Sequence, residues 1–198
     1  MSNAAGRILD LGCGQSKLPG SVGVDMHPSL SGIDVRYRYD PGTHIPFRDG
    51  SFTYINLQDF VEHVADIAAL LEEVHRVAAD RALVTVRFPH YSSPGAHNDI
   101  THRKFLGCRS FDHFDPNTKY GSTYGYFNQS KPPIPFRIES GALDCLGVRP
   151  GFLARLLFRL AKKSKMMEHY LGVLLPLRNV SLNLVVDKST RDQRDLVR

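Results

Sequence analysis

Short apolar runs broken by turn residues fill the first ninety positions. Residues 7–11 (RILDL) end at Gly12, and residues 22–25 (VGVD) end at His27-Pro28. Residues 33–39 (IDVRYRY) alternate and stop at Asp40-Pro41-Gly42; residues 52–57 (FTYINL) follow Asp49-Gly50-Ser51. Residues 82–88 (ALVTVRF) are rich in β-branched side chains and stop at Pro89. These five segments predict strands. Between the fourth and fifth, Ile67, Leu70, Leu71, Val74 and Val77 share one helical face behind Asp66, a residue suited to an N-cap. Glu72 and Glu73 stand i−4 and i−3 from Arg76 and predict pairing on the outer side. A helix joining two strands in this way is a parallel crossover.

Beyond Pro89 the pattern changes. A long polar and aromatic stretch runs to about residue 135, and two further strands are predicted within 136–146 and 181–186. Between those two lies a helical pattern. Phe152, Leu153, Leu156, Leu157 and Leu160 fall on one face, with Arg155, Arg159, Lys162 and Lys163 largely opposite. Such a basic amphipathic helix either packs on the sheet or docks on an anionic membrane. The order of elements favours an α/β domain. The first three links are too short for crossover helices, so the first strands are expected to lack helical cover. The C-terminal helices or a second protomer, making a homodimer, would then cover that face.

Composition narrows the classes. With 198 residues, 42% hydrophobic and 23% charged, the chain is globular and suited to one domain. We expect a single domain over 1–198, with a cofactor half at 5–90, a substrate half at 91–187 and a charged tail at 188–198. The net charge of +5 permits nucleic-acid binding, but no RNA-binding signature accompanies it, so a nucleic-acid partner is not expected. Three cysteines (Cys13, Cys108 and Cys145) are too few for a disulfide framework. No signal-peptide pattern opens the chain and no apolar run is long enough to cross a bilayer, so a cytoplasmic protein is expected.

The chemistry concentrates at residues 8–14 (ILDLGCG). An apolar strand delivers an acid, Asp10, into a glycine-rich turn, where the main chain can turn tightly and a ligand can approach it. Fifteen positions on, the second strand ends in Asp25, well placed to accept hydrogen bonds from ribose hydroxyls. These parts describe an adenosine site. A dinucleotide fingerprint would need a third glycine where Lys17 stands, and no phosphate-cradling GxxxxGK[ST] occurs.

The sequence resembles class I S-adenosylmethionine-dependent methyltransferases, close to the methyltransferase type 11 group. Residues 10–14 (DLGCG) resemble that family's first motif and residues 23–25 (GVD) its second. Residues 45–64 (IPFRDGSFTYINLQDFVEHV) and 70–77 (LLEEVHRV) resemble the segments that follow. The likeness is good over about 7–90 and weak beyond. It implies a Rossmann-like three-layer sandwich with a mostly parallel seven-stranded sheet, and S-adenosylmethionine as cofactor. Asp10, Gly12, Cys13 and Gly14 would shape the pocket around the methionine part. Asp25 would bind the ribose, Met26 would pack on the adenine and Asp40 would stand near its amino group. Gln58 and Asp59 would line the methyl-transfer site. Ser16 replaces a frequent glycine, Thr53 a usual aspartate, and residues 77–81 (VAADR) the family's glycine turn. With the first strand so near residue 1, no capping helix is expected ahead of it.

The acceptor side draws on Glu62, His63, Tyr91 and Tyr124. The loop after the fifth strand carries His90, His97, Asp99 and His102 at the ligand edge of such a sheet. We expect His90 or His102 to serve as general base, with Asp99 orienting it. His90, His97, Asp99 and His102 lack a compact ligand spacing, so no metal is expected. The expected activity is methyl transfer to a small-molecule acceptor. A silent cofactor-binding protein and an RNA methyltransferase are the alternatives.

Overall fold

The computed structural model describes residues 7–125, 134–145 and 177–189. Its strands are β1 (Ile8–Leu11), β2 (Val22–Asp25), β3 (Val35–Arg36), β4 (Phe52–Gln58), β5 (Ala78–Pro89), β6 (Phe136–Cys145) and β7 (Leu177–Val186). Three α-helices accompany them among the described residues: α1 (Ile67–Val77), α2 (Pro94–Asn98) and α3 (Lys119–Tyr124). All seven strands form one sheet in the order β3-β2-β1-β4-β5-β7-β6. The pairs β1–β2, β1–β4, β2–β3 and β4–β5 are parallel. Strand β7 is antiparallel to both of its neighbours. This is the mostly parallel α/β sheet that the sequence predicts. The helical pattern at 152–163 and most of the charged tail lie outside the described residues.

Helix α1 forms as its pattern demands. The Asp66 carboxylate accepts from Ala69 N–H at 3.0 Å, satisfying one of the donors that a helix start leaves open. Leu70, Leu71, Val74 and Val77 then join Phe52, Ile55, Leu57, Val84 and Val86 in one buried cluster. The helix runs straight into β5 at Ala78, so residues 77–81 form no separate turn, and Arg81 takes a φ of 63° inside the strand.

No helix lies in the links 12–21, 26–34 and 37–51, as their lengths predict. Carboxylates hold these links instead. Asp10 accepts from Leu18 N–H at 2.7 Å, Asp25 from Gly14 N–H at 2.9 Å, and Asp34 from Gly23 N–H at 2.7 Å. In the third link, Glu73 accepts from Ile45 N–H at 2.7 Å. Arg76 donates to the Glu73 carboxylate at 2.9 and 2.7 Å and to the carbonyls of Ile45 and Phe47 at 2.8 Å each. This corrects the expectation of an outer-face pair. Glu73 is buried, because its carboxylate anchors the strand-to-strand link as well as Arg76. Burial opposes its ionisation, but the hydrogen bonds from Arg76, His44 and Ile45 outweigh that and hold its carboxyl below the usual range.

Other boundaries shift for tertiary reasons. The alternating segment 33–39 yields only the two-residue β3, because pairing with β2 spans Val24–Val35 and Asp25–Arg36 alone. Strands β5 and β7 start four residues earlier than predicted and pair along Leu83–Val185 to Pro89–Asn179. No helix among the described residues is long and apolar enough to cross a membrane.

Candidate active site

A cleft of about 650 Å³ opens at the carboxyl ends of the parallel strands. That volume is in the range of small-molecule and cofactor sites. One end is built by Gly12, Asp25, Met26, Tyr37, Tyr39 and Asp40, and the other by Asp59, Phe60, His63, Thr101 and Arg103.

The first end grows from the loop after β1. Gly12 has a φ of 75° and Gly14 one of 52°, conformations that side chains with a Cβ rarely adopt. Gly12 is also pressed by the Phe60 ring, which would overlap any Cβ placed there. Asp10 stands behind the loop and is buried. Its carboxylate accepts from Leu18 N–H and from the Asn56 side-chain amide, both at 2.7 Å, so it fixes the loop's shape from the sheet side. Cys13 is a buried free thiol, its pKa raised by burial and then by the charges of Asp10 and Asp25. Asp25 ends β2 at the cleft. Each carboxylate oxygen takes one main-chain donor, Gly14 N–H and His27 N–H, both at 2.9 Å. One acceptor position per oxygen is left for a ligand. Met26, 64% exposed, offers an apolar face beside it.

This architecture separates adenosine ligands. Dinucleotide sites seat the pyrophosphate on the helix that follows the glycine loop. Here no helix follows the loop. Lys17 is engaged elsewhere, its ammonium 2.9 Å from the Asp34 carboxylate. The site thus offers a carboxylate with acceptor capacity and an apolar face, without a helix start to seat a pyrophosphate.

The second end depends on the turn after β4. Asp59 has a φ of 50°, strained for an aspartate, and is fixed by its N–H to Arg87 O at 2.8 Å and by an ion pair with the Arg87 guanidinium at 3.3 Å. A single 3-10 turn, Val61–His63, follows. The carbonyl of Glu62 accepts from Arg103 N–H at 2.8 Å and from Lys104 N–H at 3.1 Å, which brings the loop after β5 onto this turn. The His63 and His102 rings consequently meet edge to face, with centroids 4.7 Å apart. Glu62 is buried, and its Oε2 has no hydrogen-bond partner. Burial above all, then the charge of Asp59, pushes its pKa up to about 7, against the opposing pull of its own backbone hydrogen bond, His102 and Arg87.

The sequence-predicted residues therefore separate into groups. Gly12, Asp25, Met26, Asp40, Asp59 and His63 line the cleft. Asp10, Cys13 and Gly14 support it from behind, and Gln58 ends β4 beside it without lining it. Glu62 and His102 sit next to His63. His90 is fully buried and does not line the cleft; its Nδ1 pairs with Ser92 Oγ at 2.8 Å. Tyr91 and the exposed Tyr124 do not line the cleft either. Asp99 does not grip His102. The nearest approach is 3.8 Å, and Asp99 Oδ1 instead accepts from the Thr101 hydroxyl at 2.6 Å and its N–H at 2.8 Å. Those two bonds hold its pKa low. Phe60 was not assigned from sequence, whereas Thr101 and Arg103 belong to a segment, 101–105, that the sequence places on the substrate side. Tyr37 and Tyr39 carried a signal, since their alternation places both on the core side of residues 33–39.

The fold is the Rossmann-like one found in methyltransferases. Residues 9–85 match the methyltransferase domain family. An S-adenosylmethionine-dependent methyltransferase from Archaeoglobus fulgidus superposes with a TM-score of 0.55 at 13% identity, over 92% of this chain and 86% of that one. An S-adenosylmethionine-dependent methyltransferase from Mesorhizobium loti gives 0.50 at 19% identity over 90% of each chain. A Bacillus subtilis protein, YcgJ, gives 0.54 at 14% identity over 92% of each. No curated protein sequence matches at a significant level. The family match spans 77 of the 198 residues, and the fold is the one these S-adenosylmethionine-dependent methyltransferases share. S-adenosylmethionine is named for the Archaeoglobus fulgidus and Mesorhizobium loti proteins.

Proposed function

We propose that this protein transfers a methyl group from S-adenosylmethionine to a small-molecule acceptor with a hydroxyl or amine nucleophile. The observation that carries the reading is the single cleft joining an adenosine-type end, at Asp25 and Met26, to an imidazole-bearing end, at His63. Asp25 would take the ribose hydroxyls and Met26 the adenine, with Asp40 at its outer edge. Gly12 and Gly14 would keep the main chain open to the amino-acid part. When bound, the cofactor supplies a methyl group activated by its sulfonium. The chain's own part is positioning and exclusion of water, contributed by Phe60, Tyr39 and Val64 along the cleft. The acceptor's proton leaves toward the His63–His102 pair, of which His63 reaches the cleft wall. His90 has no such access. A reducing, cytoplasmic setting fits the free Cys13 thiol.

The test is incubation of the purified protein with methyl-labelled S-adenosylmethionine and a panel of small hydroxyl and amine acceptors. Labelled product from wild type, absent with Asp25→Ala, is the expected result. Cofactor binding without label transfer to any acceptor would favour a silent binding protein. Label on RNA alone would move the acceptor to nucleic acid.

A further inference from the structure

The turn after β4 and the loop after β5 bring together three groups that the sequence keeps apart. Donor atoms of Glu62, His63 and His102 all lie within 4.8 Å of one another. The hydrogen bonds to each ring fix which nitrogen keeps a lone pair. His102 Nδ1 is 3.0 Å from Ala96 O, a carbonyl that can only accept, so Nδ1 carries the proton and Nε2 is left with a lone pair. The Thr101 hydroxyl has one proton and donates it to Asp99 Oδ1 at 2.6 Å. The 2.9 Å contact between Thr101 Oγ1 and His63 Nδ1 therefore runs from ring to hydroxyl, and His63 Nε2 keeps its lone pair as well. Glu62, 2% exposed, contributes a carboxylate oxygen with no partner. A buried unpartnered carboxylate beside two imidazoles with oriented lone pairs leaves strong acceptors unsatisfied, which only a proton donor or a cation relieves.

We infer that Glu62, His63 and His102 form a binding site for one first-row divalent transition-metal ion, open to the cleft on the His63 side. Two neutral imidazoles and one carboxylate suit zinc, cobalt, iron or manganese and leave positions free for an acceptor oxygen. The protonated ring nitrogens are anchored to a carbonyl and, through Thr101, to Asp99. Ligating histidines use such outer partners to fix their tautomer. The main-chain bonds from Arg103 and Lys104 to Glu62 O hold the two segments in register, so the site is built by the fold rather than by chance approach. Its place beside the proposed methyl-transfer end rests on the reading above: with the ion bound, His63 and His102 would be ligands rather than bases, and the ion would bind the acceptor's oxygen and make its proton easier to lose to water.

The test uses the full-length protein stripped with chelator and titrated calorimetrically with zinc, cobalt and magnesium chlorides, without S-adenosylmethionine. Zinc and cobalt should each bind at one ion per chain, with magnesium weaker by about a hundredfold or more. His102→Gln and Glu62→Gln should each abolish that step, and Thr101→Val should weaken it by about tenfold. His97→Gln lies outside the cluster and should bind as wild type does. Thermal melts confirm that each variant is folded. Wild type that binds none of the three ions overturns the inference, as does one-site binding that survives both His102→Gln and Glu62→Gln. A separate titration with S-adenosylmethionine in chelator keeps the two readings apart. Cofactor binding without metal binding sinks this inference alone, and metal binding without cofactor binding sinks only the methyltransferase reading.

Discussion

The two halves of the sheet are held by different chemistry. On one side, β1, β2 and β3 have four, four and two residues, and no helix occupies the links between them. On the other, β5, β6 and β7 have twelve, ten and ten residues in long antiparallel ladders. The long half is stabilised by its main-chain pairing and by the buried cluster of Phe52, Phe88, Leu184 and Val186. The short half depends on side-chain carboxylates that accept main-chain N–H groups: Asp10, Asp25, Asp34 and, in the third link, Glu73. A helix satisfies its own backbone, whereas a bare link must borrow acceptors from elsewhere. The glycine loop stays open to a ligand, but its shape rests on a few ionised groups.

That contrast can be broken in order of expected effect. Asp25→Ala removes both the proposed ribose acceptor and the partner of Gly14 N–H. It should lower S-adenosylmethionine affinity by about a hundredfold or more in a binding titration, since hydrogen bonds to charged groups are worth roughly 1.5–3 kcal/mol each. Asp10→Ala leaves Leu18 N–H and the Asn56 amide without their acceptor. It should cost about 2–5 kcal/mol, seen in calorimetry as a fall in Tm of roughly 5–15 °C for a chain of this size. If Asp10→Ala melts as wild type does, the loop is not held in the way described.

Glu62→Gln should act in the opposite direction. Burial raises the Glu62 pKa to about 7, above the unfolded value, so ionisation costs the folded state as pH rises through this range. In chelator at pH 8 the variant should melt higher than wild type, with the gap closing toward pH 5. The smallest effect belongs to Glu73. Its folded pKa is depressed, so its contribution is fully present above the unfolded value of about 4.3 and is lost as pH falls through the folded one. A plot of Tm against pH should drop below about pH 4 in wild type, and Glu73→Gln should lack that part of the drop.

Much of the short half was legible because its signals are local. The glycine loop after β1 and the end of β2 at Asp25 are marked by neighbouring residues, and the links were too short for helices; the Asp66 cap of α1 is local in the same way. The burial of Glu73 was not legible, because nothing near it in sequence announces that the Ile45 N–H needs an acceptor. His90 and His102 looked equivalent in one histidine-rich loop. The bonds from Arg103 and Lys104 to the Glu62 carbonyl bring His102 beside His63, while His90 is held in the interior by its N–H to Arg178 O and its bridge to Leu106. The same long-range pairing joins Glu62 and His63 to His102, a constellation split by some forty residues. Strand lengths beyond β4 were underestimated for a related reason: antiparallel partners, not local pattern, set where β5 and β7 begin.

The central claim is that the helix-poor edge of the sheet is an adenosine site without a pyrophosphate seat. Calorimetric titration with S-adenosylmethionine, run beside NADH, tests it most directly. The account predicts one site per chain with micromolar affinity for S-adenosylmethionine and no heat from NADH. Binding of NADH, or of neither ligand, would contradict it.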